Sequence, residues 1–404
     1  MKNENNLKVL MVSTEYPPMQ GGIGRYTNNL VNALRNIDID VYVCSGSEGK
    51  GEYKGLSPNN TNNSQFLLKV VDQLHPDIVH IQMEHGLYGL ELNSLLPGAI
   101  TTSLDYFYSK CVQPIITTFH SSYDFKQWLN LVSINQHKFN TKKITEYWER
   151  IINYKAFHDL NKRIFHQSRA NIVCSNYLSK LIPGCKVIYH GANSYLSQNV
   201  SKQEARTKLS LPTSSKIALA QGFFTSTKGW DIINKMKIPD DWVIVLNHSN
   251  NHYSKQNFDL DIVNCKNKNR IINLDKKYLS ESELSLLFYA SDVVILPYKV
   301  CSGSGVMFDA LAHGTPFIAS DLDFFKEFKE MNLGIVVKRK PDEFVKALKQ
   351  MDENYLSYKS AIEKFKVRLD WNRIANQHTE IYIDTKMRTH LPSKEKDEQI
   401  IIQR

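Results

Sequence analysis

The chain has 404 residues, 42% hydrophobic and 23% charged, with a formal net charge of +9. At about 150 residues per domain this length implies two to three domains, and the composition excludes a disordered, fibrous or single-module protein. The longest apolar runs, such as Val293-Val294-Ile295-Leu296, fall far short of the ~20 residues of a membrane-spanning helix, and the polar residues 1–8 lack the apolar centre of a secretion signal, so a cytoplasmic protein is expected.

Residues 8–13 form a short apolar run that breaks into Glu15-Tyr16-Pro17-Pro18-Met19-Gln20-Gly21-Gly22-Ile23-Gly24, which predicts a buried strand followed by a glycine-rich loop. Tyr26, Leu30, Leu34 and Ile37 then recur at helical spacing, and Asp40-Val41-Tyr42-Val43-Cys44 reads as the next strand. Strand, loop, helix and strand make a βαβ unit and imply a parallel sheet. The rhythm continues at 77–81, 114–120 and 170–175, and 187–191 closes this half. Each of these strands ends in a polar residue, where open α/β sheets place their ligands. The polar stretch 193–212 marks a domain boundary near residue 200. A second series follows, with strands at 217–221, 242–246, 271–274, 293–296 and 316–320. From Pro341 the pattern is helical to about Lys386, and the polar tail 387–404 has no periodicity and is expected to be frayed or disordered. The predicted divisions are therefore 1–198, 199–365, a closing helix at 366–386 and the tail.

Two segments have the residue types of an anion site. Gly21-Gly22-Ile23-Gly24 follows a strand and opens a helix, so its backbone N–H groups can approach a phosphate that a side chain would block, although a plain tight turn reads the same way. Residues 296–320 read as a strand end, a loop of Ser302, Gly303, Ser304 and Gly305, a helix, and a return to a strand after Gly314. That loop offers N–H and hydroxyl donors at a helix amino terminus, and Asp309 falls one to two turns into the helix, placed to accept hydrogen bonds from sugar hydroxyls. The bland counterpart is a helix cap with a solvated Asp309. Six cysteines without C-x-x-C spacing form neither a disulfide framework nor a zinc site and read as buried thiols of a reducing compartment.

In their order along the chain these motifs resemble the family 4 retaining glycosyltransferases, whose GT-B fold is an α/β architecture of two facing Rossmann-like domains with a cleft between them. The resemblance spans about 8–386. It rests on Glu15-Tyr16-Pro17-Pro18 before Gly21 and Gly22, on Asp77-Ile78-Val79-His80, Thr118-Phe119-His120 and residues 187–193, on Lys228-Gly229 after Gly222, on residues 309–316, and on Trp371-Asn372-Arg373-Ile374-Ala375 as the closing helix. It implies a nucleotide-diphosphate sugar held mainly by 199–365, an acceptor held mainly by 1–198, and a closing helix that returns to the first domain. Lys228 would pair with the diphosphate, Ser302, Gly303, Ser304 and Gly305 would bind phosphate and sugar, and Asp309 would hold the ribose. Gly21 and Gly22 would close on the diphosphate, His120 would lie beside the donor sugar, and His85 and His190 would line the cleft.

Three positions depart from the family pattern. Cys301, eight residues before Asp309, stands where the family usually has a glutamate, and Phe223, after Gly222, stands where it commonly has an arginine. The second acid is Asp309 where the family has a glutamate. The resemblance further implies front-face attack with the departing phosphate oxygen taking the acceptor proton, without metal or cofactor. Three D-x-D triplets, at 38–40, 259–261 and 321–323, read as surface acids.

From Lys126 to Arg169 nine basic residues oppose three acidic ones, and Trp128, Leu129, Leu131, Val132, Ile134, Phe139, Tyr147 and Trp148 are interleaved. This suits helices at an anionic lipid surface, the alternative being ordinary solvated helices. No nucleic-acid motif accompanies the charge. The expected activity is transfer of a hexose to an acceptor hydroxyl in surface glycan or glycolipid synthesis, by a cytoplasmic enzyme with a peripheral contact at the inner membrane face. The alternatives are a non-catalytic GT-B nucleotide-sugar binding subunit and a GT-B epimerase.

Overall fold

The computed structural model describes residues 6–58, 60–92, 100–131, 141–196, 200–249, 268–274 and 278–389. In chain order these fold as β1 (Lys8–Ser13), α1 (Gly22–Arg35), β2 (Asp40–Gly46), β3 (Tyr53–Leu56), α2 (Asn63–Leu74), β4 (Ile78–Met83), β5 (Glu91–Leu92), β6 (Ile100–Thr101), α3 (Asp105–Lys110), β7 (Ile115–Phe119), α4 (Phe125–Asn130), α5 (Thr141–Gln167), β8 (Ala170–Val173), α6 (Asn176–Leu181) and β9 (Lys186–Val187). They continue with α7 (Lys202–Lys208), β10 (Lys216–Phe223), α8 (Trp230–Ile233), β11 (Trp242–Ser249), β12 (Ile271–Asn273), α9 (Glu281–Ala290), β13 (Val293–Leu296), α10 (Gly305–Ala312), β14 (Phe317–Ser320), α11 (Asp323–Glu330), β15 (Gly334–Val337), α12 (Pro341–Phe365) and α13 (Trp371–Thr389).

Contacts divide the chain into two units. The first comprises Met1–Ser122, Asn140–Tyr189 and Trp371–Arg404, the second Tyr123–Phe139 and His190–Asp370. The first unit holds a parallel sheet of order β3-β2-β1-β4-β7-β8-β9. Its central strands are buried on both faces, which is why 8–13 and 78–83 read as near-continuous apolar runs. The buried stripe of α1, Tyr26, Leu30, Val31 and Leu34, packs into one cluster with Val9, Met11, Ile78 and, from α13, Trp371, Ile374, Ala375 and Tyr382. The second unit holds a parallel sheet of order β12-β11-β10-β13-β14-β15. Here α7 is tied down by Asp292, which takes Lys202 Nζ at 2.5 Å, Arg206 Nη2 at 2.6 Å and the backbone N–H of Ile217 at 2.7 Å.

The boundary between units falls at 189/190, about ten residues before the predicted one, because His190 already packs on Phe308 of the second unit. Residues 123–139 also count with the second unit despite their place in the sequence of the first half. Their α4 is docked by Gln127, whose Oε1 accepts the Cys301 backbone N–H at 2.6 Å. Only Lys186–Val187 of the expected strand at 187–191 pairs in a sheet. Four strands went unpredicted, β3, β15 and the two-residue pair β5 and β6. The β3 residues Tyr53-Lys54-Gly55-Leu56 form no apolar run, and β15 opens on Gly334, where an added Cβ would meet Phe317 O at 2.4 Å. The last helix continues to Thr389, past the predicted limit of 386, and residues 390–404 lie outside the described residues.

Three histidines of the first unit are buried, and burial lowers the pKa of each. His85 and His378 fall to about 4, and His80 is held well below the ordinary histidine value. All three therefore enter the fold neutral, whereas the unfolded chain protonates them below about pH 6.5. The unfolded state binds the additional protons in the window from about 6.5 down to about 4, so stability is full above it and falls as the pH drops. Urea unfolding followed between pH 7 and pH 4.5 should show a falling midpoint with a slope of up to about three protons. A midpoint flat across that window would contradict this account.

Candidate functional site

In both sheets the strand order reverses once, between β1 and β4 in the first unit and between β10 and β13 in the second. Successive connections leave such a point toward opposite faces, which opens a crevice at the carboxyl ends of the strands. The residues singled out in the sequence fall at these two places.

In the first unit the loop after β1 carries Glu15, whose Oε2 accepts the N–H groups of Ile23 at 3.0 Å and Gly24 at 2.9 Å. Two N–H groups at the glycine-rich start of α1 are thus engaged by the chain itself; these two bonds go to Ile23 and Gly24, and not to Gly21 and Gly22, the pair expected to close on a diphosphate. A carboxylate from the chain itself already meets the positive helix end, an interaction that favours anions there. It also explains Gly21, where an added Cβ would lie 1.8 Å from the Glu15 carboxyl carbon, while at Gly22 it would meet open space. His120 follows β7, with its backbone N–H on Met83 O at 2.9 Å and its Nε2 2.8 Å from Gln82 Oε1. The Tyr26 ring stands edge-on to it at 5.0 Å. His85 lies apart from His120, its Nε2 2.8 Å from Asn161 Oδ1 under the α5 helix. Beside it, burial pushes the Glu84 carboxyl up against the opposing pull of Ser121 and the backbone N–H groups of Gly86 and His85.

In the second unit two loops meet at the reversal. Lys299 N–H donates to Thr227 O at 2.8 Å, and Gly229, at φ 79°, sits where an added Cβ would lie 1.8 Å from Pro297 O. This close fit puts Lys228 Nζ 3.9 Å from the centre of the buried Tyr298 ring. Cys301 follows, buried; burial raises its thiol to about 12, with the Lys228 charge pulling the other way. At that value the thiol is neutral, donating to Gly303 O at 3.4 Å, so it replaces the usual glutamate without supplying a charge. Ser304 caps α10, its Oγ accepting the Met307 N–H at 3.3 Å. The helix thus begins on Gly305 and Val306, both partly exposed, and Gly303 before them is exposed. His190 stacks on Phe308, ring planes 4° apart, and its Nε2 lies 3.5 Å from where a Gly305 Cβ would stand. Its Nδ1 donates to Gly191 O at 2.7 Å, which leaves Nε2 as the atom turned to the helix start.

Lys228, Ser302, Gly303, Ser304, Gly305 and His190 are therefore brought together. Asp309 lies in the second turn of α10, but its side chain is only 2% exposed. Phe223 stacks with Tyr278 at 6.5 Å. Sequence reasoning missed Glu15, Gln82, Gln127 and Tyr298. A polar pair in a buried strand, His80 and Gln82, was the available signal for one of them; the Gln127 contact spans 174 positions and left none. Among the described residues no group of three or more His, Cys, Asp or Glu is placed to hold a metal ion. Asp321 and Asp323 pair with Lys326, and residues 259–261 lie outside the described residues.

The chain is similar in fold to solved GT-B enzymes. Sucrose-phosphate synthase from Thermosynechococcus elongatus matches with a TM-score of 0.70 at 15% identity, over 94% of this chain and 99% of that one. Anabaena HepE in complex with UDP-glucose matches at 0.67 and 13%, over 94% and 100%. WaaG, a glycosyltransferase involved in lipopolysaccharide biosynthesis, matches at 0.59 and 12%, over 93% and 99%. The fold is that of the GT-B glycosyltransferases. Within it, residues 20–191 match the family described as Glycosyltransferase Family 4, and the resemblance read from the motifs is borne out. No curated protein sequence matches the chain.

The Tyr298 ring positions the Lys228 ammonium through a cation–π contact of about 1 kcal/mol. In Tyr298→Leu, binding of inorganic pyrophosphate measured by calorimetry should weaken roughly five-fold, and in Tyr298→Phe it should stay within about two-fold. Equal affinities in Tyr298→Leu and the parent chain would contradict this role.

Proposed function

We propose that the chain is a retaining glycosyltransferase that moves a hexose from a nucleotide-diphosphate sugar to an acceptor hydroxyl in the synthesis of a surface glycan or glycolipid. The observation that carries the reading is the convergence of Lys228, the Ser302–Gly305 loop and the start of α10 at one strand-order reversal. A fixed cation beside backbone donors at a helix start is suited to a diphosphate, and it stabilises the charge that develops on a diphosphate leaving group. HepE, whose structure carries UDP-glucose, shares the fold and supports a donor of this class.

In the proposed reaction the bond from the anomeric carbon to the diphosphate oxygen breaks while the acceptor oxygen bonds to the same face of that carbon. The acceptor proton passes to the departing phosphate oxygen. No protein carboxylate is required as a base, which is compatible with a neutral Cys301 at the usual glutamate position. Asp309 is assigned to the ribose and His120 to the donor sugar, with neither metal nor cofactor taking part.

For the acceptor, the face of α5 that carries Trp148 (59% exposed), Ile152 (60%) and Lys155 is turned away from its buried stripe of Phe157, Leu160 and Ile164. Exposed tryptophan and isoleucine beside lysines fit a peripheral contact with anionic lipid. Residues 132–140 of the same basic segment lie outside the described residues. No helix among the described residues is long and apolar enough to cross a membrane. The enzyme is assigned to the cytoplasm, at the inner membrane face.

Thermal stability with a panel of nucleoside diphosphates and their sugars tests the donor, since a ligand of the native state alone must raise it. One nucleotide sugar should give a selective rise, lost in Lys228→Ala, and should support transfer to lipid-linked acceptors in anionic vesicles. A rise without transfer would favour the binding-subunit reading, sugar interconversion without acceptor the epimerase. No rise with any donor would overturn the proposal.

A further inference from the structure

We infer that Gln82 is a positioning residue that holds His120 in the tautomer carrying its proton on Nε2. The two side chains meet at the carboxyl ends of neighbouring strands, Gln82 near the end of β4 and His120 directly after β7. Gln82 is fully buried, and its Oε1 lies 2.8 Å from His120 Nε2. An amide oxygen accepts and cannot donate, so the hydrogen of this bond belongs to His120.

The far side of the amide sets which of its ends faces His120. Gln82 Nε2 lies 3.1 Å from Met11 Sδ, an acceptor, and 3.3 Å from His80 Nε2. Burial keeps His80 neutral, so one of its ring nitrogens is an acceptor. The His80 ring is itself held, Nδ1 to Tyr382 Oη at 2.7 Å and Nε2 to Thr118 Oγ1 at 2.8 Å. A buried chain of hydrogen bonds thus runs from Tyr382 of α13 through His80 and Gln82 to His120, and the edge-on Tyr26 ring restrains the imidazole from turning. Such networks fix orientation because an unpaired buried polar group is costly.

The chemical consequence is an acceptor. In the tautomer with Nε2 donating to Gln82 the lone pair lies on Nδ1, the atom through which His120 would accept a hydrogen bond from a substrate hydroxyl. This rests on the proposed placement of His120 at the donor sugar and specifies what it does there.

Nitrogen-15 NMR of histidine-labelled, unliganded full chain reads the tautomer without any activity. His120, assigned by loss of its signals in His120→Gln, should show a protonated Nε2 and an unprotonated Nδ1. A proton on Nδ1 would overturn the inference. In Gln82→Leu the His120 signals should move toward a mixture of tautomers, and kcat for transfer should fall about ten-fold with donor KM nearly unchanged. Gln82→Glu keeps an acceptor oxygen and should restore the Nε2-protonated form. An unchanged tautomer in Gln82→Leu would also overturn the inference, and if that variant does not fold, the parent chain's tautomer decides. The expected tautomer in a chain that binds no nucleotide sugar would leave Gln82 as the positioning group and remove only the proposed function.

Discussion

The reversal of strand order in a parallel sheet is the constraint on which this molecule depends. Parallel strands need crossover helices, the crossovers are right-handed, and a sheet that grows outward from a central pair must send its connections to opposite faces at one point. In this chain that point lies between β1 and β4 in one unit and between β10 and β13 in the other. Everything with chemical potential, from Glu15, Gln82 and His120 to Lys228, Ser304 and Gly305, lies on loops or strand ends at those two places. The surrounding strands are buried and mostly apolar, so they hold these loops in position, with His80 and Gln82 of β4 as the polar exceptions.

The two reversals are furnished differently. At the first, the positive start of α1 is met by the Glu15 carboxylate, and the polar groups beside it form a chain that ends on a histidine. At the second, the start of α10 is met by a neutral serine cap and faced by His190 Nε2, and among the described residues the lysine beside it stands over an aromatic ring with no carboxylate paired to it. The first arrangement is internally compensated, while the second retains its positive charge. An anion gains little from the first and much from the second. This difference, more than the presence of glycines at both, is the ground for proposing the diphosphate at the second unit.

Much of this was legible in the amino-acid sequence, because the signals are local. Apolar runs ending in polar residues gave the central strands, and glycines followed by helical periodicity gave α1 and α10. What escaped was non-local or too short. Glu15 stood within a motif already read, but its partners, the N–H groups of Ile23 and Gly24, depend on how the loop doubles back. The Gln127–Cys301 bond joins residues far apart in the chain, so that α4 belongs to a unit its sequence position does not suggest. The strands β5 and β6 have two residues each, and β3 mixes Tyr53, Lys54 and Gly55 with a single aliphatic residue, so none of them shows an apolar run. Gln82 stood out only as one of a polar pair in a buried strand and Tyr298 not at all, and only the fold shows what each touches.

The central claim is that the second unit's reversal point binds a diphosphate group. Backbone amide NMR of the deuterated full chain, titrated with a nucleoside diphosphate, tests it at the atoms concerned. The account predicts saturable shifts at Gly303, Gly305 and Val306 and at the Lys228 loop, with the α1 amides of Ile23 and Gly24 held by Glu15 and moving little. Shifts concentrated at Ile23 and Gly24, or none at the start of α10, would contradict it.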